Sequence, residues 1–132
     1  MQEEIPACAG IMAQHNELGE WGEQFATEYL VKKGYDILER NYFYDRAEVD
    51  IIAKSKEGNC IVCVEVKTRN SDMFGDPQSF VSKGKIKLLV KAMDAYLIEK
   101  DISFETRFDI IAIIKNKSTE ELIHYENAFY HF

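Results

Sequence analysis

Two carboxylates and a lysine stand near the middle of the chain, on two neighbouring stretches that favour β-structure, residues 48–53 and 61–67. A polar, glycine-containing turn separates these stretches, so we expect them to pair as a hairpin. Side chains alternate between the two faces of a strand, which puts Glu65 and Lys67 on one face. In the paired hairpin Asp50 approaches both residues. Two carboxylates and a lysine then lie together on otherwise apolar strands.

This set of side chains matches the needs of a hard divalent cation. Carboxylate oxygens are the ligands that Mg²⁺ or Mn²⁺ prefers, so Asp50 and Glu65 are the candidate metal ligands, helped by Glu23 or by Glu48, which strand alternation places on one face with Asp50. Such an ion leaves room for a phosphate oxygen and lowers the pKa of bound water. Lys67 is suited to orient the attacking water or to stabilise the transition state. The chemistry predicted is hydrolysis of a phosphodiester.

Two other interpretations stay open on these residues alone. Asp50, Glu65 and Lys67 could form a charge-paired cluster that only stabilises a strand pair. They could also serve another metal-dependent hydrolase. We favour the nuclease interpretation.

The first helix is predicted over Asn16–Lys33, with Gly34 as its stop signal. Glu23 lies at the border of the apolar stripe of this helix. Two orientations are open for it: a stripe-edge side chain that reaches water, and a carboxylate aimed at the site. The stripe consists of Leu18, Trp21, Gly22, Phe25, Ala26, Tyr29 and Leu30.

The second helix is predicted from an N-cap at Ser82 to about Lys100. Lysines recur on it at a spacing of four, with one more lysine nearby in sequence. Such a row is typical either of a solvated helix face or of phosphate contact, and both interpretations stay open. The candidate residues for nucleic-acid binding are Arg69, Lys83, Lys85, Lys87 and Lys91.

The remaining segments complete an α/β layered domain with a mixed sheet, in the order α-β-β-β-α-β-β. Further strands are predicted at 35–44, 108–114 and 122–126. Residues 70–77 have loop composition and are expected to cover the site or to contact substrate. The aromatic tail, residues 127–132, is expected to pack onto the body.

The N-terminus is expected to lie outside this domain. Residues 1–11 show no clear hydrophobic periodicity, which predicts a disordered extension, so the domain would span 12–132. Met12 precedes the first helix closely enough to be the natural start. Glu3 and Glu4 stand where a secretory signal carries positive charge, so no signal peptide is expected.

Composition limits the class of protein further. The chain has 132 residues, of which 46% are hydrophobic and 30% charged, as expected for one globular domain without a membrane span. The net charge of −7 argues against simple coating of nucleic acid, although a local basic face remains compatible with it. Three cysteines suit a reducing cytoplasm. Cys60 and Cys63 would face opposite sides of a strand, so we expect structural cysteines and no zinc site.

Asp50 followed by Glu65-x-Lys67 resembles the PD-(D/E)xK pattern of restriction-endonuclease-like nucleases. More specific motifs surround it and together resemble the YraN family of predicted bacterial endonucleases, in order over nearly the whole chain from Met12. They are Asn16-x₅-Gly22-Glu23-x-x-Ala26, Leu38-x-Arg40-Asn41, Ala47-Glu48-Val49-Asp50-Ile51-Ile52-Ala53, Val64-Glu65-Val66-Lys67-x-Arg69, Val81-Ser82-x-x-Lys85, Arg107-Phe108-Asp109-Ile110-Ile111-Ala112 and Asn127-Ala128-Phe129.

The resemblance implies a Holliday-junction-resolvase-like core in which Glu23, Asp50, Glu65 and Lys67 form the catalytic set. It implies a Mg²⁺-dependent or Mn²⁺-dependent endonuclease acting on DNA, branched or damaged forms included. The sequence has Ala47 where the family usually has glycine. This departure matters if the glycine serves a bulge and is harmless if it only provides space.

A different class of function is a non-catalytic module that keeps the nuclease fold and binds nucleic acid or a protein partner. A third is a subunit that is active only in a larger complex. Exposed aromatic side chains at Tyr42, Phe43 and Tyr44 would supply its contact surface. Nuclease folds of this kind often pair as homodimers, and the sequence leaves the oligomeric state open.

Overall fold

The computed structural model describes residues 10–70 and 80–129, with side chains from residue 17 onward. Two helices and five strands follow one another in the predicted order. The elements are α1 (Gly10–Lys32), β1 (Asp36–Tyr44), β2 (Ala47–Lys54), β3 (Cys60–Arg69), α2 (Lys83–Glu99), β4 (Glu105–Lys115) and β5 (Glu120–Tyr125).

The five strands form one mixed sheet in the order β1-β2-β3-β4-β5. Neighbouring strands are antiparallel except for β3 and β4, which are parallel and are connected through α2. A parallel pair needs such a crossover, because the chain must return to the same end of the sheet. The predicted mixed α/β sheet is confirmed.

Each helix covers one face of the sheet. Ala26 and Leu30 of α1 pack in one buried cluster, and Leu89 and Met93 of α2 pack in the other. Strands covered on both faces are apolar at nearly every position. This explains the continuous apolar run of β4, which contributes side chains to both clusters.

Helix α1 begins at Gly10, earlier than the predicted Asn16. Its end agrees with the prediction: Gly34 has a φ of 95°, and Tyr35 N donates to Leu30 O at 2.9 Å, which closes the last turn. The helix therefore includes residues 10 and 11 of the predicted extension and has Met12 inside it, while residues 1–9 lie outside the described part of the chain. Residues 71–77 of the predicted loop lie outside it as well.

Helix α2 has the predicted N-cap, since Ser82 Oγ accepts a hydrogen bond from Lys85 N at 3.1 Å. The aromatic tail packs as predicted as far as it is described: Phe129 is buried and its ring centroid lies 5.3 Å from that of Phe108. Residues 130–132 lie outside the described part. Within that part, neither helix is long and apolar enough to cross a membrane.

Candidate active site

The hairpin of β2 and β3 brings the predicted carboxylates together. Its register pairs Ile51 with Val64, so Asp50 and Glu65 are the next residues along the two strands. Pairing between β2 and β3 ends at this level, whereas β3 continues beside β4 to its last residue. Asp50 bridges the point where the strands part, because its Oδ2 accepts a hydrogen bond from Val66 N at 2.8 Å. The predicted hairpin is confirmed.

The two carboxylates differ in exposure: Glu65 is buried and Asp50 is partly buried. Glu65 is only 2% exposed. Burial, followed by the negative charge of Glu65, raises the pKa of Asp50 to about 7. The hydrogen bond from Val66 N and the charge of Lys85 act in the opposite direction but do not outweigh these effects. Burial and the neighbouring negative charge disfavour the ionised form of Asp50, so a cation beside it would reduce this cost.

Two lysines contact the same oxygen of Glu65. Lys67 Nζ lies 3.4 Å from Glu65 Oε2, and Lys85 Nζ lies 2.6 Å from it. The other oxygen, Oε1, is buried and has no hydrogen-bond partner among the described residues. A buried carboxylate oxygen without a partner is costly in free energy. Oε1 is therefore the atom of Glu65 that is available to a ligand.

Glu23 faces the site, which is one of its two predicted orientations. With the Asn41 amide oriented so that its nitrogen faces the carboxylates, this nitrogen donates to Glu23 Oε1 and Glu48 Oε2, each at 3.0 Å. Burial, followed by the charge of Glu48, raises the pKa of Glu23, and the charge of Glu65 acts in the same direction. Arg40 and the Asn41 amide act against this rise.

Sequence reasoning missed the role of Asn41. The register on either side places Asn41 opposite Asp50, and its φ of 53° lies in the left-handed region. Strand alternation is interrupted at this level, since Val49 packs in the α2-side cluster and Ile51 in the α1-side cluster. Strict alternation, which groups Glu48 with Asp50, therefore does not hold along β2. The available signal was an asparagine inside a strand, because asparagine tolerates positive φ.

Ala47, which stands in place of the usual family glycine, is buried in the α2-side cluster. Its φ is not positive. The backbone at this position therefore does not require glycine, and alanine fits.

The candidate residues for nucleic-acid binding do not all behave alike. Arg69, Lys83, Lys87 and Lys91 are exposed and have no ion pair within the described residues. Lys85 differs, because its ammonium is held by Glu65. The structure thus places four of the five cations on the surface and the fifth in the carboxylate site.

The cysteines have the surroundings expected of structural residues. Cys60 is half-buried and Cys63 is buried, and burial raises the pKa of both thiols. No group of three side chains suited to a metal ion occurs in the described part of the chain. Cys8 lies outside it.

A second buried polar cluster, which the spacing of residues did not predict, lies on the α1 side of the sheet. Asp109 is fully buried and accepts hydrogen bonds from Arg107 Nε and Nη2, at 2.9 and 2.8 Å, and from Asn127 N at 3.0 Å. Its Oδ2 lies 2.7 Å from His124 Nε2, and the other ring nitrogen lies 3.0 Å from the Tyr29 hydroxyl. Burial pushes the pKa of Asp109 upward, but the bonds from His124, Arg107 and Asn127 outweigh burial and lower it.

The carboxylates at the point where β2 and β3 part fit a metal ion that takes few protein ligands. Mg²⁺ commonly binds through one or two carboxylates and fills its remaining positions with water and substrate oxygens. Asp50 and Glu65 supply such a pair, and the buried Glu65 Oε1 has no other partner among the described residues. A closed site with three protein ligands is not present in that part of the chain. The pair of carboxylates suits an ion whose remaining coordination positions are filled by water and by oxygens of the substrate.

The fold and the site together define an α/β domain with a restriction-endonuclease-like core, in which a mixed five-stranded sheet carries carboxylates where two of its strands part. A sequence profile described as "Uncharacterised protein family UPF0102" matches residues 22–113. The chain belongs to the UPF0102 family, which is the family that its resemblance to YraN proteins indicated.

Curated relatives match the chain over nearly its whole length. A UPF0102 protein of Flavobacterium psychrophilum is 53% identical over 121 residues, covering 92% of this chain and all of the relative. The UPF0102 protein of Christiangramia forsetii is 54% identical with the same coverage, and that of Phocaeicola vulgatus is 40% identical over 90% of this chain and 97% of its own.

Among solved structures, Pyrococcus furiosus SfsA in complex with Ca²⁺ aligns with 85% of this chain and 63% of its own. The TM-score is 0.30 at 15% identity. This likeness is too weak to carry an argument about fold or function.

Proposed function

We propose that this protein is a metal-dependent endonuclease that hydrolyses phosphodiester bonds of DNA. The observation that carries the proposal is the juxtaposition of Asp50 with the buried Glu65 and with Lys67, at the point where β2 and β3 part. The raised pKa of Asp50 supports a cation at this point, and so does Glu65 Oε1, which is buried without a partner among the described residues.

The residues of the site have separate tasks in this proposal. Asp50 and Glu65 hold one Mg²⁺ or Mn²⁺, which when bound would activate water and neutralise charge on the phosphate. Lys67 Nζ, 3.4 Å from Glu65 Oε2, orients the attacking water or stabilises the charge that develops on the phosphate oxygens. Glu23 and Glu48 flank the pair, held in place by the Asn41 amide, and Glu23 adds a carboxylate to the catalytic set.

Surface charge supports nucleic acid as the substrate despite the net charge of −7. The N-terminal half of α2 carries exposed lysines and has no acidic residue in its first turn. Backbone N–H groups at a helix N-terminus attract anions, so cations added there form a locally positive surface. Such a surface suits the phosphates of DNA, including branched or damaged forms, and a homodimer would allow two strands to be cut.

A second candidate function is a non-catalytic module that binds nucleic acid or a protein partner. It is favoured by the exposure of Phe43 (68%) and Tyr44 (43%) at the end of the β1–β2 hairpin. Clustered exposed aromatic side chains are typical of contact surfaces. This candidate predicts binding that is independent of metal and unchanged by Asp50→Asn.

Cleavage assays on branched, single-stranded and linear duplex DNA, with Mg²⁺ or Mn²⁺, test the leading proposal. Glu65→Gln and Lys67→Ala are each expected to reduce the cleavage rate by about 100-fold or more, the usual cost of removing one electrostatic contributor. Glu57→Gln is the matched control, because Glu57 is exposed in the turn at the other end of the same hairpin. Full activity of Glu65→Gln or Lys67→Ala would overturn this site assignment.

A further inference from the structure

Lys85 differs from the other lysines of α2 because it contacts a carboxylate of the candidate site. It lies in the first turn of the helix, and its Nζ donates to Glu65 Oε2 at 2.6 Å. Lys83 and Lys87, two residues away on either side, are exposed and have no ion pair in the described part of the chain. The lysine closest to Glu65 is therefore Lys85 and not Lys67, which lies 3.4 Å from the same oxygen.

The helix itself gives no reason for a lysine at this position. Cations near a helix N-terminus are disfavoured by the helix dipole, which stabilises negative charge there. The first turn of α2 contains no acidic residue that could offset this effect. The carboxylates of the site are what hold the Lys85 ammonium where it is.

Lys85 is also more open to water than Lys67. Its side chain is 38% exposed, against 23% for Lys67, which is fixed beside Glu65 on the same strand. A cavity of about 520 Å³ adjoins Lys85. It is lined by Arg46, Ala47, Glu48, Ser82 and Leu88 among others. An ammonium released from Glu65 therefore has space beside the site, in a cavity whose lining includes a second cation, Arg46.

We propose that Lys85 is a positioning residue that exchanges with the divalent ion. In the metal-free protein its ammonium neutralises Glu65. With a divalent ion held by Asp50 and by Glu65 through its free Oε1, the negative charge that holds the ammonium on Oε2 would be neutralised, and Lys85 would move into the adjoining cavity to meet a phosphate of the substrate. This inference rests on the proposed function. In it, the movement of Lys85 couples the binding of the metal ion to the binding of substrate.

Calorimetric titration with Mn²⁺ tests the exchange without any measurement of cleavage. Lys85→Met removes the competing cation, so it is expected to tighten Mn²⁺ binding by about five- to tenfold, as for the loss of one partly exposed charged hydrogen bond. Lys100→Met, at the opposite end of the same helix, is the matched control and is expected to leave the affinity for Mn²⁺ unchanged.

Stability gives a second readout. In EDTA, Lys85→Met is expected to lower the melting temperature because Glu65 loses its closest countercharge, and saturating Mn²⁺ is expected to restore it to the value of the Mn²⁺-loaded wild type. A purely structural lysine would lower the melting temperature equally with and without the metal.

DNA binding supplies the third readout, with Ca²⁺ as the ion and the salt dependence of affinity as the measure. Loss of one phosphate contact reduces the salt slope by about one. Lys85→Met is expected to reduce it with Ca²⁺ present and to leave it unchanged in EDTA.

The outcomes separate the two proposals. Mn²⁺ affinity that is equal or weaker in Lys85→Met than in wild type overturns the exchange while leaving the nuclease proposal intact. Absence of Mn²⁺ binding in wild type and variant alike contradicts the metal-dependent function, and overturns the exchange with it.

Discussion

Gly22 of α1 packs directly on Thr68 of β3. A Cβ added to Gly22 would overlap Thr68 Oγ1 and would lie 3.0 Å from Thr68 Cβ. Helix and strand can approach this closely only because residue 22 has no side chain. Since Glu23 is the next residue, the close approach also fixes the distance of its carboxylate from the site. The glycine that weakens the helix locally thereby sets the position of a candidate catalytic residue.

Gly22→Ala is therefore expected to destabilise the protein by about 1–3 kcal/mol, the usual cost of overpacking, and to loosen the contact between Glu23 and Asn41. Urea unfolding gives the free energy. Gly19→Ala is the control in the same helix, because among the described residues nothing outside the neighbouring helix backbone lies within 4 Å of its added Cβ. It is expected to stabilise the protein by up to about 1 kcal/mol through helix propensity. Equal effects of the two substitutions would contradict the close-packing account.

Asp50 makes the stability of the metal-free protein depend on pH. Its pKa is about 7 in the folded state, above the ordinary value of 3.8. The folded state therefore binds the proton more tightly than the unfolded state, so the free energy of unfolding falls as pH rises from about 4 to about 7. Asp50→Asn removes this loss. At pH 8 the free energy of unfolding of the variant is expected to exceed that of wild type by about 1–3 kcal/mol.

Urea unfolding in EDTA at pH 5, 6, 7 and 8 measures the effect. The advantage of Asp50→Asn over wild type should grow with pH and then level off above the pKa of Asp50. An advantage that is constant across this range would contradict a raised pKa, and would indicate a packing effect of the substitution.

Asn41 is expected to contribute both through its backbone and through its amide. Asn41→Ala keeps neither the tolerance of positive φ nor the bonds to Glu23 and Glu48, and should cost about 1–3 kcal/mol. Asn41→Gly loses the amide but accepts the φ of 53° freely. Thermal unfolding should therefore place the glycine variant between wild type and the alanine variant. A glycine variant less stable than the alanine variant would contradict the backbone part of this explanation.

The buried pair of Arg107 and Asp109 is expected to stabilise the fold without affecting the metal site. Arg107→Met leaves the fully buried Asp109 without its two-bond partner and should cost about 3–5 kcal/mol. Lys115→Met is the control on the same strand, since Lys115 forms an exposed ion pair with Glu120 at 2.9 Å, and pairs of this kind contribute about 0–1 kcal/mol. Chemical unfolding compares them. Similar small losses in both variants would contradict a structural role for the buried pair.

The parts of the site that were predictable from sequence depend on local periodicity. Alternation along β3 puts Glu65 and Lys67 on one face, and the short polar turn fixes the hairpin that brings Asp50 beside Glu65. The N-cap at Ser82 and the stop at Gly34 were predictable in the same way, because each is set by a single local side-chain or backbone requirement.

The rest of the site depends on contacts between distant elements. A spacing of four groups Lys83, Lys87 and Lys91 and leaves Lys85 aside, yet only the packing of α2 on the sheet shows that Lys85 reaches Glu65. The irregularity at Asn41 likewise comes from pairing with β2, because the register leaves Asn41 opposite Asp50 with a positive φ. The asparagine inside a strand indicated a positive φ, but neither its place opposite Asp50 nor the reach of Lys85 to Glu65 follows from spacing along the chain.

Calorimetric titration of the wild type with Mn²⁺, against the double variant Asp50→Asn/Glu65→Gln, tests the central claim most directly. If the two carboxylates hold a divalent ion, wild type binds one Mn²⁺ per chain. Binding also releases a proton near neutral pH, because the ion displaces the proton of Asp50. The double variant is expected to bind none, and Glu57→Gln is expected to bind as wild type does. Undiminished binding by the double variant would contradict the claim that Asp50 and Glu65 form the metal site.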